Sequence, residues 1–496
     1  MIFRCCSIIL VLALTAPTAM AQSAAVENSW TATTLSDLDA MRTWIVENHP
    51  GFVDSNHQKF RRQLRRSYHN ARQLAVTATS FAGYAATLDY FAAGFNDPHI
   101  VFQGVPQPDP TLISTLEWPG FVVAYRQQKI VVHAVANAAL LGPLPDVGTT
   151  LIGCDGQYSA SIVRQDILPF SQINLPNAEC AWTIMTPLML VDEGNPFVRR
   201  PASCTFAGAT GFTTIDLAWQ KTTPNLLMPL LTSAQTGSPP TMALRSFGAN
   251  SYWLQIPSFA ANSADQVAAF QQFIALLTAQ QDKLHAADKI VIDVRGNGGG
   301  STEWTNGVIA ALWGNDVEQF YTPSGEHAWR VSPGNYQFLT QVVLPEIASA
   351  EGVDSSDYLE LQTEAADFKL ALARGDSLLP IADNAAAGTA SAPPANPVAG
   401  NVYFLTDAWC SSSCLLFADT ILRIPGVTQV GQPTGADTRY NEIRRELLPS
   451  GHGYIQGPQK VYFGRPRADD VAYTPKLRWH GEMSDTAGLQ AWIDAF

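Results

Sequence analysis

The stretch from Lys289 to Leu312 constrains the fold more than any other. Ile290-Val291-Ile292 makes a strand that is apolar on both faces and interrupted only by Asp293, and Arg295-Gly296-Asn297-Gly298-Gly299-Gly300 then breaks it. Thr302 to Leu312 follows with helical spacing. A strand without a polar face has to be covered on both sides. The same unit recurs as a strand at Asn401–Thr406, a helix at Ser412–Arg423 and a strand at Val427–Val430. Ahead of it stand a strand at Tyr252–Ile256 and an amphipathic helix at Ala264–Ala286. Strands alternating with helices predict a layered α/β domain over residues 241–496. A long Ala-, Pro- and Gly-rich loop is expected near residues 375–400, and a closing helix at Asp485–Ile493.

The 496 residues leave room for more than this one unit. Leu38, Met41, Trp44 and Ile45 recur at helical intervals, as do Phe81, Tyr84, Leu88 and Phe91, so residues 22–115 read as a helical subdomain ending near His99. Residues 116–240 change to short strands. Phe121–Tyr125 and Ile130–Ala134 flank Arg126-Gln127-Gln128 as a hairpin, and Ser233–Pro240 reads as a boundary loop.

Residues 1–21 carry the marks of a secretory signal: Arg4, an apolar run from Ile8 to Leu14, and Ala19-Met20-Ala21 as a cleavage site. No later stretch reaches the roughly 18 continuous apolar residues that span a bilayer, so a periplasmic or secreted protein with no integral membrane segment is expected. With 30 basic and 43 acidic residues the net charge is −13, which argues against nucleic acid as a partner. Five cysteines follow the signal, an odd count. Cys180 with Cys204 is expected to bridge neighbouring β segments, and Cys410 with Cys414 to close a tight loop. The cysteines and histidines lack metal-ligand spacing, so neither metal nor cofactor is expected.

Three features could carry chemistry. Ser411-Ser412-Ser413 lies between a strand and a helix, where a hydroxyl can face a cleft beside helix N–H groups; the alternative is plain N-capping. The glycine turn after Asp293 can present amides to an anion, or simply join strand to helix. His99, in Asn96-Asp97-Pro98-His99, can act as a general base near neutral pH or stand solvated.

Their order along the chain resembles the S41 peptidase family of tail-specific and tricorn-like proteases. Residues Lys289 to Gly300 are similar to the family's strand and D-x-R-x-N-x-G-G motif, and Tyr252 to Phe259 to its preceding strand. Gly431-Gln432-Pro433-Thr434 resembles its G-E-P-T turn, 19 residues beyond Ser412, which selects Ser412 among the three serines. The resemblance implies a ClpP/crotonase-like α/β core, and a degraded PDZ-like module within residues 116–240. It also implies a serine-type endopeptidase acting on peptides or unfolded protein.

One position departs from the family pattern. The tail-specific branch places a lysine base about 25 residues after its serine, and Asp437 stands there. The tricorn-like branch takes a histidine from the N-terminal region, which points to His99 as base for Ser412. Asp437 and Glu442 are then the candidates to orient the imidazole, with Asp469 and Asp470 left open. Ser413 with Gly298 or Gly299 would form the oxyanion hole. Arg439, Arg444 and Arg445 could receive a peptide carboxylate, or form a solvated face. Two other readings stay open: an inactive peptide-binding protein on this fold, and a serine hydrolase of another ester or amide.

Overall fold

A computed structural model describes residues 27–105, 115–136, 143–323, 325–350, 352–381 and 393–496. The expected signal segment, and residues 382–392 of the expected loop near 375–400, lie outside the described residues.

The α/β unit forms around a six-stranded sheet ordered Ala243–Phe247, Ser251–Gln255, Lys289–Asp293, Asn401–Thr406, Val427–Gly431 and Leu477–Arg478. The first pair is antiparallel and the other four pairs are parallel. Strand side chains alternate between faces, and both faces are covered. Leu254, Ile290, Ile292 and Phe404 enter a core shared with the helices Ala264–Ala279, Thr302–Trp313 and Ser413–Ile421. Trp253, Val291, Tyr403 and Leu405 face the helix Thr486–Asp494. The glycine turn and the serine turn both leave the carboxyl ends of these parallel strands, where open α/β sheets place ligand sites.

The helices Glu27–Asn48, Phe60–Ala75 and Phe81–Ala93 do not bury their apolar stripes against one another alone. Leu38, Met41, Ile45, Phe81, Tyr84 and Phe91 share a core with Phe102, Ala328, Tyr440, Ile455 and Val461. The last five belong to a second, antiparallel sheet whose longest strand is Gly453–Phe463. Val101–Gly104, which starts two residues after His99, adds to that strand with Val101 opposite Gln456. Backbone pairing thus carries His99 across more than 350 residues of sequence.

Between these units, residues 121–216 form an antiparallel sheet with the helix Glu179–Met185 packed on it. The expected hairpin is present as Phe121–Arg126 and Lys129–Val135, with Gln127 and Gln128 both at positive φ in the tight turn. The core of this sheet reaches Ala408 and Ala436, on either side of the serine triplet in sequence. The cysteine pairing differs from expectation. Cys204 bonds Cys154, which lies directly opposite it on the neighbouring strand, and not Cys180. Cys180 sits on the helix as a buried free thiol, and burial pushes it up to about 12, which leaves it unreactive. Cys410–Cys414 is closed as expected.

Candidate active site

The glycine turn is held from below. Asp293 accepts two hydrogen bonds from the Arg295 guanidinium, at 2.9 and 2.6 Å, one from the Arg295 backbone N–H at 3.1 Å, and one from the Trp253 indole at 2.9 Å. Arg295 also donates to the Met483 carbonyl and to Thr486. Both charges are buried, so the pair braces the turn. Removing one partner would strand the other in the core. Arg295→Ala is expected to cost about 3–5 kcal/mol of stability, measurable by denaturant unfolding; a change within experimental error would show the pair to be dispensable.

Asp407 joins this turn to the serine turn. It is fully buried and accepts the Gly296 N–H and the Trp409 N–H, each at 3.0 Å. Burial pushes its carboxyl up to about 6. Above them the two turns touch. Gly299 has φ +101, and a methyl group there would come within 2.7 Å of Ser412 Cβ. Gly300 has φ +144, and a Cβ would overlap the Phe259 carbonyl, against which the chain forms a bridge. Side chains at these two positions would push the glycine turn off the serine turn.

Within the triplet the three serines differ. Ser413 is buried, and its hydroxyl accepts the Gly300 N–H at 3.0 Å and donates to the Gly300 carbonyl. Ser411 donates its N–H to the Asn297 carbonyl at 3.3 Å. Ser412 occupies the N-cap position of Ser413–Ile421 but makes no capping bond with its side chain, so simple N-capping does not describe it. Its backbone lies at φ 55, ψ −124, a conformation that costs a residue with a Cβ on the order of 1–3 kcal/mol. Such strain persists where the surroundings enforce it, and here Cys410–Cys414 spans the elbow. Ser412→Gly is therefore expected to raise stability, by up to about 1 kcal/mol, in an unfolding experiment; destabilisation would mean that the elbow is relaxed in the native chain.

His99 stands in a second cluster. Its Nδ1 lies 3.2 Å from Asp97 Oδ1, which also accepts its backbone N–H at 2.9 Å. Asp97 Oδ2 accepts from the Thr438 hydroxyl at 2.6 Å. Burial alone would lower the His99 pKa, but the hydrogen bond to Asp97 and the charges of Asp97 and Asp437 outweigh it and hold the imidazole above its ordinary 6.5. The Asp97 carboxyl is buried, yet its His99 contact keeps it below its usual value. Nearby His49 is the opposite case. Burial pushes it down to about 3, and its Nδ1 accepts the Gly51 N–H, so it is neutral and structural.

One short segment links the clusters. Gly435 packs on the serine turn, its N–H donating to the Cys410 carbonyl at 2.9 Å and its Cα facing the Ser411 hydroxyl. Three residues on, Thr438 holds Asp97. At 3.8 Å per step, their Cα atoms are no more than about 11 Å apart.

Residues 252–463 match Peptidase family S41. They form an S41 peptidase domain. The chain is accordingly a serine-type peptidase, a hydrolase. Among solved structures, mature CPAF aligns over 94% of this chain and 96% of its own, at 12% identity and a TM-score of 0.63. CPAF complexed with lactacystin aligns over 94% and 97%, at 13% identity and a TM-score of 0.60. That likeness is one of fold, and it extends beyond the S41 domain through the helical front and the β-rich middle. No curated protein sequence matches the chain.

The carboxylates left open by the sequence separate clearly. Asp437 accepts from Arg465 at 2.6 Å and Arg467 at 2.7 Å, so the position of the family lysine is an anchor in a buried ion cluster. Glu442 is exposed at an irregular point in the strand Tyr440–Leu447, 3.7 Å from Lys460. Asp469 is taken by Arg439 and Arg465. Asp470 donates its N–H to the Asp437 carbonyl and leaves its buried Oδ1 without a hydrogen bond. Burial, then the charges of Asp97 and Asp469, push the Asp470 carboxyl up to about 6. The carboxylate beside Nδ1 is Asp97, which the sequence reading passed over; its signal was the two-residue spacing to His99. Of the glycine amides, Gly299 already donates to Asn297 Oδ1 at 2.9 Å, while a side chain built on Gly298 would meet nothing within 4 Å. Arg444 is buried against Trp44 and bonds Asn335 and Glu446, so it is structural. No described residues group as a metal site.

Proposed function

We propose that the chain is an exported endopeptidase in which Ser412 attacks the scissile carbonyl and His99 takes its proton. The observation that carries this reading is the Gly435–Thr438 segment, bonded at one end to the turn of Ser412 and at the other to the carboxylate of His99. His99 then returns the proton to the leaving amine. Asp97 keeps the imidazole oriented and stabilises its charged form. Asp470, with one oxygen unbonded, is the remaining carboxylate of the cluster available to that charge. The oxyanion is received by the N–H groups of Ser413, at the start of its helix, and Gly298; Gly299 is spent on Asn297. Losing one such donor costs roughly 2.7–4 kcal/mol of transition-state stabilisation. Two disulfides fit an oxidising compartment, and no helix among the described residues is long and apolar enough to cross a membrane.

A fluorophosphonate probe tests the nucleophile, and a peptide library tests the substrate. Labelling that vanishes in Ser412→Ala, together with peptide cleavage, is the expected result. An unlabelled, inert wild-type chain would leave only a binding protein; labelling with ester but no peptide turnover would move the activity to another acyl group.

A further inference from the structure

The helix Phe60–Ala75 carries a charge pattern that neither the fold nor the proposed chemistry uses. Between Asp54 and Asp89 the sequence holds no acidic residue, while Lys59, Arg61, Arg62, Arg65, Arg66 and Arg72 crowd into the same stretch. All six are exposed. At about 100° per residue, the five arginines fall within an arc of about 140° and along about 17 Å of the helix axis. Phe60, Leu64, Ser67, Ala71 and Ala75 take the other side and are buried. Phe60, Leu64, Ala71 and Ala75 share a core with Tyr440 and Val461, so the basic stripe is fixed to the S41 domain.

The chain neutralises little of this charge itself. Arg61 donates to the Phe52 carbonyl at 2.7 Å, and Arg72 lies 4.0 Å from Asp39. Arg62, Arg65 and Arg66 have no ion pair or side-chain hydrogen bond among the described residues. Arg61 with Arg65, and Arg62 with Arg66, are like charges one helical turn apart, a spacing that costs stability. Exposed Arg42, on the neighbouring helix Glu27–Asn48, stands over the Tyr68 ring and extends the patch across two helices. Such a surface has no groove or strand edge of the kind that holds a peptide. It matches a planar array of phosphates, which guanidinium groups bind well.

We infer that this stripe docks the protein on an anionic lipid bilayer, with the helix lying along the headgroups and its arginines on their phosphates. The apolar side of the helix is occupied by the core, so nothing inserts and the attachment is electrostatic. A chain of net charge −13 is otherwise repelled by such a bilayer, so docking through the stripe also orients it.

The test is cosedimentation of the full chain with vesicles of phosphatidylcholine, alone or with about a quarter phosphatidylglycerol. Binding is expected to the anionic vesicles only, and to fall at least tenfold when salt is raised to about 0.5 M. The triple variant Arg62→Gln, Arg65→Gln, Arg66→Gln should lose about 100-fold in vesicle affinity. It should melt no lower than wild type, since like-charge repulsion is relieved, and should take the fluorophosphonate probe as the wild type does. Replacing the same three arginines by Lys should retain binding within a few-fold. Equal binding to both vesicles, binding indifferent to salt, or a triple Gln variant that binds like wild type overturns the inference. So does a wild-type chain that ignores the anionic vesicles, including one that instead binds duplex DNA or a poly-glutamate peptide through these arginines.

Discussion

Ser412→Ala is expected to lower kcat by roughly a millionfold, the scale seen when a nucleophile is removed from residues that act as a unit. The chain should still fold, because Ser412 makes no side-chain cap and its neighbours hold the elbow. Ser413→Ala should behave differently. It loses the two contacts to Gly300 and loosens the fit of the glycine turn, with a smaller fall in kcat and a fall in stability. Steady-state kinetics on a cleavable peptide, paired with thermal unfolding, separates the two. Should Ser411→Ala abolish turnover while Ser412→Ala retains it, the nucleophile has been misassigned by one residue.

His99→Ala is expected to match that loss, since a serine hydroxyl without its base is a poor nucleophile. The pH profile carries more information. A general base works in its neutral form, and His99 is held above 6.5 by Asp97 and Asp437 against the effect of burial. The acidic limb of kcat/KM, which reports the free enzyme, should therefore lie above the value of an ordinary histidine, with activity lost as pH falls through it. Asp97→Asn removes the largest raising contribution, so the limb should move to lower pH while kcat falls, by up to about 10⁴-fold. A merely structural Asp97 would lower kcat without moving the limb. Asp470→Asn distinguishes the second carboxylate: a limb that moves with Asp470 and not with Asp97 would transfer the orienting role.

Much of the α/β unit could be read in advance because its local signals agree. Ile290, Val291 and Ile292 are apolar on both faces, the glycines after Arg295 permit the only backbone that can approach Ser412, and the helices follow with regular spacing. The strand Tyr440–Leu447 was invisible for the opposite reason. Glu442, Arg445 and Glu446 face solvent, an irregularity at Glu442 breaks the alternation, and Arg444 is buried although its charge reads as exposed. The pairing of Cys204 with Cys154 depends on strand order, which spacing along the chain cannot supply. Ser412 and His99 were singled out through motif order. The Asp97-Pro98-His99 context points to His99, but Asp97 was not among the carboxylates named to orient the imidazole, and only the fold reveals that it meets Nδ1 and Thr438.

The pairing of Val101–Gly104 with Gly453–Gln456 has a consequence for when the enzyme can first act. A nascent chain emerging from amino to carboxyl end holds its proton acceptor early but lacks the scaffold that positions it. That scaffold is among the last segments made. A product interrupted before Gly453 would carry every reactive group and yet be idle, because its imidazole would have nothing to dock on. On the function proposed above, such latency would keep the hydrolase from digesting itself or its neighbours while it is still being made.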